Sequence, residues 1–192
     1  MTYNVENLFA TPIYRCLVEN KELVQSEIEV ALKDIKYDDS YNYNQLGNTF
    51  ETTDVDADII SEKQIDSLSQ AIDFHLKQYC QKIGFTPREY KRKSWIVKNS
   101  NNGHTMAHTH GEYDIAGVYY FQTNEKDGNL FFESPVLPAI SSICYQKCAT
   151  RQEQVPIVGK LLLFPGWLSH GVKTNTQESD RISLAFMIAF TR

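Results

Sequence analysis

Hydrophobic residues along this chain change rhythm once, near residue 88. Before that point they recur every three or four positions, the spacing of one face of a helix. Val24, Ile28, Ala31, Leu32 and Ile35 form one such stripe and predict a helix over about 21–35. Asn20 precedes it as a candidate cap, because its side-chain oxygen can accept from an orphan amide. Ile65, Leu68, Ile72, Leu76, Tyr79 and Ile83 predict a second helix over about 62–83, stopped by Gly84. An extended piece, 9–17, leads in, and a polar loop rich in Tyr and Asn, 37–58, separates the helices.

After residue 88 the apolar residues alternate or come in short blocks. Strands are expected over 93–98, 115–122, 130–133, 140–145, 160–164, 171–173 and 181–190. Turn signals divide them: Asn101-Asn102-Gly103, Lys126-Asp127-Gly128, Ser134-Pro135, Val158-Gly159, Pro165-Gly166 and Asn175-Thr176. Many short strands with such punctuation suggest a double-sheet jelly roll or barrel, with the helices buttressing one sheet. The fold class is mainly β with flanking helices. No compositional break marks a linker, so 1–192 reads as one domain, helical over about 1–88 and jelly roll over about 89–192.

Bulk composition narrows the function classes. At 192 residues, 42% hydrophobic and 22% charged, the chain can bury a substantial core. Its net charge of −5 argues against a nucleic-acid partner, which usually meets a basic face. No apolar run approaches the roughly 20 residues that cross a bilayer. The first residues lack the basic and apolar regions of a signal peptide, so a cytoplasmic location is expected. Cys16, Cys80, Cys144 and Cys148 are then reduced thiols. Cys144 and Cys148 would make a zinc site only with two further ligands nearby. The sequence leaves open whether the chain forms a homodimer.

The histidines carry the chemistry. Four of the five fall in two patches, His104 to His110 and His170. Imidazole is the commonest metal ligand. Residues i and i+2 of a strand share a face, so His108 and His110 can reach one ion, with His170 supplying a third nitrogen from a remote strand. The same spacing allows His110 with Glu112, and Asp114 continues that face. A site that activates O2 on Fe(II) commonly uses two histidines and one carboxylate, with three positions open. His104 lies beside a turn signal and reads as a loop residue; His75 reads as an ordinary helix residue.

Arg181 lies eleven residues after His170, across an apparent hairpin through 175–180. An antiparallel return would point it into the same cavity, with Ser183 on its face. A guanidinium beside a hydroxyl receives a carboxylate well. One of Tyr119 and Tyr120 should face the cavity, and Tyr119 is taken as a cosubstrate contact. Trp167, in a tight turn before His170, covers the core or walls the pocket.

Together these residues resemble a known family. Trp95, Asn101–Gly103, His108-Thr109-His110, Ala116 to Tyr120, Gly128 to Phe132, Gly159 to Pro165, His170-Gly171-Val172 and Arg181-Ile182-Ser183 resemble the 2-oxoglutarate–Fe(II) oxygenases of bacterial and phage genomes. These are similar to prolyl-4-hydroxylases. Leu8 to Ile13 and the helix after it resemble the start of that family.

The resemblance implies a double-stranded β-helix holding Fe(II). It implies His108 at the first ligand position, His170 at the distal one, and Arg181 on the far carboxylate of 2-oxoglutarate with Ser183 as helper. Most relatives place a carboxylate two residues after the first histidine, whereas this chain has His110. The favoured set is His108, His110 and His170, with Glu112 replacing His108 as the alternative. The implied activity is an Fe(II)- and 2-oxoglutarate-dependent dioxygenase that uses O2 to hydroxylate an unknown, peptidyl or amino-acid, substrate. Two other readings stand beside it: a three-histidine cupin-type dioxygenase that does not use 2-oxoglutarate, and a non-catalytic metal-binding jelly-roll module.

Overall fold

The structure, a computed structural model, describes residues 10–38, 45–52, 57–136, 143–145 and 151–192. After strand β1 (Tyr14–Leu17) comes helix α1 (Lys21–Leu32), with Val24, Ile28 and Ala31 buried as the stripe requires. Asn20 makes no side-chain cap; its carbonyl instead accepts from the amides of Leu23 and Val24. The second helical stretch is broken. A short α2 (Ile59–Glu62) and a long α3 (Asp66–Lys82) flank Gln64, whose φ of 54° no helix permits. Ile65, at the break, is fully buried and joins the two pieces to one core.

The polar stretch 37–58 contributes strands where it is described. Its described parts include β2 (Tyr37–Asp38), β3 (Gln45–Leu46) and β4 (Thr49–Thr52). Then follow β5 (Tyr90–Asn99), β6 (His104–His108), β7 (Ile115–Gln122), β8 (Leu130–Phe132), β9 (Gln152–Gln154), β10 (Lys160–Pro165), β11 (His170–Val172) and β12 (Arg181–Phe190). Of the strand expected over 140–145, the described residues Ile143–Tyr145 form a 3-10 turn, and the rest lies outside the described residues, as do Cys148 and residues 1–9. Cys16, Cys80 and Cys144 are free thiols.

The strands form two antiparallel sheets. One has the order β1-β10-β7-β12-β5-β4-β2 and the other β3-β6-β11-β8-β9. This is the double-sheet arrangement of a jelly roll, with neighbours in space drawn from both ends of the chain.

Apolar residues fill two layers. One lies between the helices and the outer face of the seven-stranded sheet, where Val24, Ile28, Leu68 and Ile72 meet Tyr119, Leu161, Leu163 and Leu184. Each such side chain contributes about 2 kcal/mol by leaving water. The other lies between the sheets and contains Ala116, Val118, Tyr120, Leu130, Phe132, Leu162 and Phe164. Consecutive strand residues alternate between these layers, which is why β7 and β10 are apolar almost throughout.

No described helix is long and apolar enough to cross a membrane.

Candidate metal centre

β6 and β11 are neighbours in the five-stranded sheet, and His108 pairs directly with His170. The next pairing joins Thr105 to Val172, so three steps on β6 oppose two on β11. This is a β-bulge, and it lets Thr105 and His108 both face the cavity despite an odd spacing. The bulge also explains Gly171. A Cβ there would lie 2.7 Å from the Thr105 carbonyl oxygen and 2.6 Å from the Phe131 ring.

His104 is the first residue of β6, not a loop residue, and stands outside the cluster. His110 lies beyond the end of β6. Its amide donates to the Gly166 carbonyl at 2.8 Å, and its own carbonyl accepts from Tyr113 N–H at 2.9 Å. Gly166 tolerates no side chain, because a Cβ would lie 2.1 Å from the Tyr113 carbonyl oxygen.

The three imidazoles of His108, His110 and His170 converge, with one ligand nitrogen from each within 4.8 Å of the others. Their ring centroids are 4.5 to 5.1 Å apart. His108 and His170 each donate Nδ1–H to a carbonyl two residues back, Met106 and Leu168, both at 2.9 Å. A carbonyl can only accept, so these bonds leave Nε2 as the free lone pair on each ring. Burial pushes the His170 pKa down to about 3, and the charge of His108 adds to the effect. Burial, then His108, pushes His110 down to about 4. The His110 and His170 rings are therefore neutral near pH 7, the state in which imidazole binds a metal.

Glu112 sits in the turn after His110 and is exposed. The chain has left the extended conformation there, so the i, i+2 argument for His110 with Glu112 loses its basis. Asp114 is exposed too, and its carboxylate accepts from the Phe190 amide at 2.8 Å. Among the described residues no carboxylate joins the three histidines in the cluster.

Arg181 reaches this cavity by a different route from a hairpin. β11 and β12 belong to different sheets, so Arg181 faces His170 across the sandwich. Arg181 is 2% exposed. One terminal N–H donates to the Gly128 carbonyl at 2.8 Å, while Nε has no partner among the described residues. Among the described residues no carboxylate forms an ion pair with it. Burial works against its charge, offset by Tyr120 and the buried Asp127. A buried unpaired guanidinium is costly, and an anionic ligand would relieve that cost. Ser183, two residues on, lines the same cavity and is buried.

Tyr119 is on the wrong side for cosubstrate contact. Its ring packs in the helix-facing layer, and its hydroxyl accepts from Gln25 Nε2 at 3.4 Å. Strand alternation turns Tyr120 inward instead. The Tyr120 hydroxyl is buried without a partner among the described residues, and the Arg181 guanidinium carbon lies 5.8 Å from its ring. The sequence expected one tyrosine of this pair to face the cavity; neither is among the residues that line it, and Tyr120 packs in the layer between the sheets, beside Arg181. Trp167 is 53% exposed and does not line the cavity.

Around these groups the cavity holds about 520 Å³, part of it open to solvent, with apolar walls including Val97, Val118, Leu130, Phe164 and Val172. Trp95, Gln45 and Thr105 complete one side. Gln45 belongs to the stretch read from sequence as loop.

Two antiparallel sheets closing on a histidine cluster define a double-stranded β-helix protein of the type that carries a non-haem metal. Residues 93–187, which hold all three histidines and Arg181, match the model of the family described as "Putative 2OG-Fe(II) oxygenase". Over these residues the chain belongs to this family of 2-oxoglutarate- and iron-dependent oxygenases.

Solved structures share the fold. A Pseudomonas putida prolyl-4-hydroxylase superposes with a TM-score of 0.65 at 11% identity, covering 96% of each chain. A Trichoplax adhaerens prolyl hydroxylase, in complex with a hypoxia inducible factor peptide fragment, gives 0.63 at 13% identity, covering 92% of this chain and 83% of that one. HygX from Streptomyces hygroscopicus, with nickel and 2-oxoglutarate bound, gives 0.64 at 12% identity over 94% and 84%. A search of curated proteins finds no significant match.

Proposed function

We propose that His108, His110 and His170 hold the iron, and that Arg181 and Ser183 receive the far carboxylate of 2-oxoglutarate. The observation that carries this reading is the Arg181 guanidinium, buried and without an ion pair among the described residues, facing the cavity that the three imidazoles line. The donor set fits the metal, since three converging imidazole nitrogens, two of them on rings oriented by Nδ1–H bonds, leave further positions for cosubstrate and O2.

When bound, iron and 2-oxoglutarate together supply the oxidising power that inserts one atom of O2 into a substrate C–H bond, the cosubstrate leaving as succinate and CO2. The protein's own residues do the rest. Arg181 fixes the cosubstrate's length and direction, because its anchor to the Gly128 carbonyl prevents it from following the ligand. The apolar walls exclude water, which strengthens every charge interaction inside.

The unknown substrate is proposed to be peptidyl. Supporting this is the peptide held by one of the structures with this fold. The single domain and a cytoplasmic location remain part of the same proposal.

The test is an anaerobic titration. Fe(II) protein should develop a charge-transfer absorption band on adding 2-oxoglutarate, and Arg181→Gln should need far more cosubstrate for the same band. In air, 2-oxoglutarate should be converted to succinate. No band, or an Arg181→Gln titration matching the wild type, would sink the assignment. Turnover without 2-oxoglutarate would instead favour the cupin-type reading.

A further inference from the structure

His110 differs from its two neighbours in what orients it. His108 and His170 are locked by hydrogen bonds from Nδ1–H to Met106 and Leu168. Among the described residues neither ring nitrogen of His110 has such a bond. Its backbone is pinned, but its ring is free to turn about the Cβ–Cγ bond unless packing stops it.

The packing comes from Trp95. The indole and the His110 ring meet edge to face, with centroids 6.1 Å apart and planes at 69°. Trp95 is itself held. Its Nε1–H donates to Glu51 Oε1 at 3.1 Å. The same oxygen accepts from Gln45 Nε2 at 2.5 Å, and Gln45 Oε1 accepts from the Thr105 hydroxyl at 2.6 Å. This chain of bonds starts in β5 and β4 of one sheet and ends in β3 and β6 of the other. It crosses the sandwich beside the histidines. The β12 residue paired with Trp95 is Ala185, whose small side chain leaves room for the indole in the cavity.

We infer that Trp95, anchored by Glu51, is the positioning residue for His110, doing by packing what a carbonyl acceptor does for the other two histidines. The indole's polar atom is turned to Glu51, so the indole meets the imidazole through its carbon atoms. Gln45 and Thr105 brace Glu51, which ties the ligand's orientation to the contact between the two sheets. The inference rests on His110 being a metal ligand.

Co2+ binding to the full chain tests it, read by titration and by the visible spectrum of the bound ion. His110→Ala should weaken Co2+ binding and change the spectrum. Trp95→Ala should weaken it about tenfold, the lower range for loss of a residue that orients a ligand. Trp95→Phe, which keeps a ring but loses the anchor, should fall between. Glu51→Ala should resemble Trp95→Phe, and Glu51→Gln should recover near wild-type affinity because its amide oxygen still accepts from the indole.

The decisive measurement is the double variant. Adding Trp95→Ala to His110→Ala should cost no further affinity, since the tryptophan acts only through the histidine. An equal loss in that background means a merely structural tryptophan and overturns the inference. So does an unchanged affinity in Trp95→Ala. Should Trp95→Ala fail to fold, Trp95→Phe and Glu51→Ala decide, and wild-type affinity in both overturns it. If His110→Ala itself binds Co2+ normally, the three-histidine assignment fails first.

Discussion

His108 and His170 lie directly opposite one another on adjacent antiparallel strands, with ring centroids 4.5 Å apart. Sixty-two positions separate them along the chain. The cross-strand pairing makes them neighbours as fixed as two residues on one helical turn, and the bulge beside them sets their direction.

That bulge is a point of weakness. Gly171→Ala would drive a methyl group into the Thr105 carbonyl and the Phe131 ring, at 2.7 and 2.6 Å. The β6 backbone must move, taking His108 with it. The expected result is a loss of about 2–3 kcal/mol of stability, the scale of an overpacked core. Metal affinity, measured on the remaining folded protein, should drop as well. A variant of wild-type metal affinity would show that the bulge does not orient His108.

Acid should weaken the metal-free protein through the same histidines. Their folded pKa values, about 3 for His170 and about 4 for His110, lie below the ordinary 6.5 because burial disfavours the charged ring. The unfolded chain therefore binds protons first. The stability these rings allow is complete above pH 6.5 and is lost progressively as pH falls toward 4 and 3. Asp58 is shifted down from the ordinary carboxylate range. Burial alone would raise it, but hydrogen bonds from Arg92, Ser61 and Ser94 prevail and hold it below 3.8. Denaturant melts between pH 7 and 4.5 should show a slope that is smaller in His170→Gln. An identical slope would assign the acid sensitivity elsewhere.

Adjacent tyrosines should give opposite results. Tyr120→Phe removes a buried hydroxyl that has no partner among the described residues and lies beside Arg181, and is expected to raise the 2-oxoglutarate dissociation constant by roughly fivefold, the worth of one hydrogen bond. Tyr119→Phe should leave cosubstrate binding unchanged, because that hydroxyl points to Gln25 on α1. Calorimetric titration on zinc-loaded protein measures both. A larger effect from Tyr119→Phe would reverse the assignment of the two faces.

The helix-facing layer should affect stability alone. Ile72 is fully buried against the sheet on the side away from the histidines. Ile72→Ala should cost about 3 kcal/mol in a denaturant melt. Co2+ affinity of the folded variant should equal that of the wild type. A weaker metal site would mean that the helices govern the cavity more directly than the layering indicates.

Much of this was written in local pattern. The helical stripe from Val24 to Ala31 and the strands at Ile115–Gln122 and Arg181–Phe190 follow from periodicity, because each buries one face or both. The residue types of the site were legible for a related reason. Histidine is scarce here, and its clustering with a distant arginine is chemical information that survives without coordinates.

Geometry was not legible where it depends on contacts between distant segments. The helix break at Gln64, where φ is 54°, falls within a stripe whose Ile65 and Leu68 are buried as the spacing requires, so periodicity does not reveal it. The strands inside 37–58 form because β5 and β6 offer them an edge, so a polar loop composition became part of the cavity wall. Arg181 faces His170 from the opposite sheet, and the choice of Tyr120 over Tyr119 depends on which face of β7 looks inward. The chain by itself determined which chemical groups are available and which segments bury a face. The tertiary structure alone decided which of those groups meet, because strand pairing and register act over distances that sequence spacing does not measure.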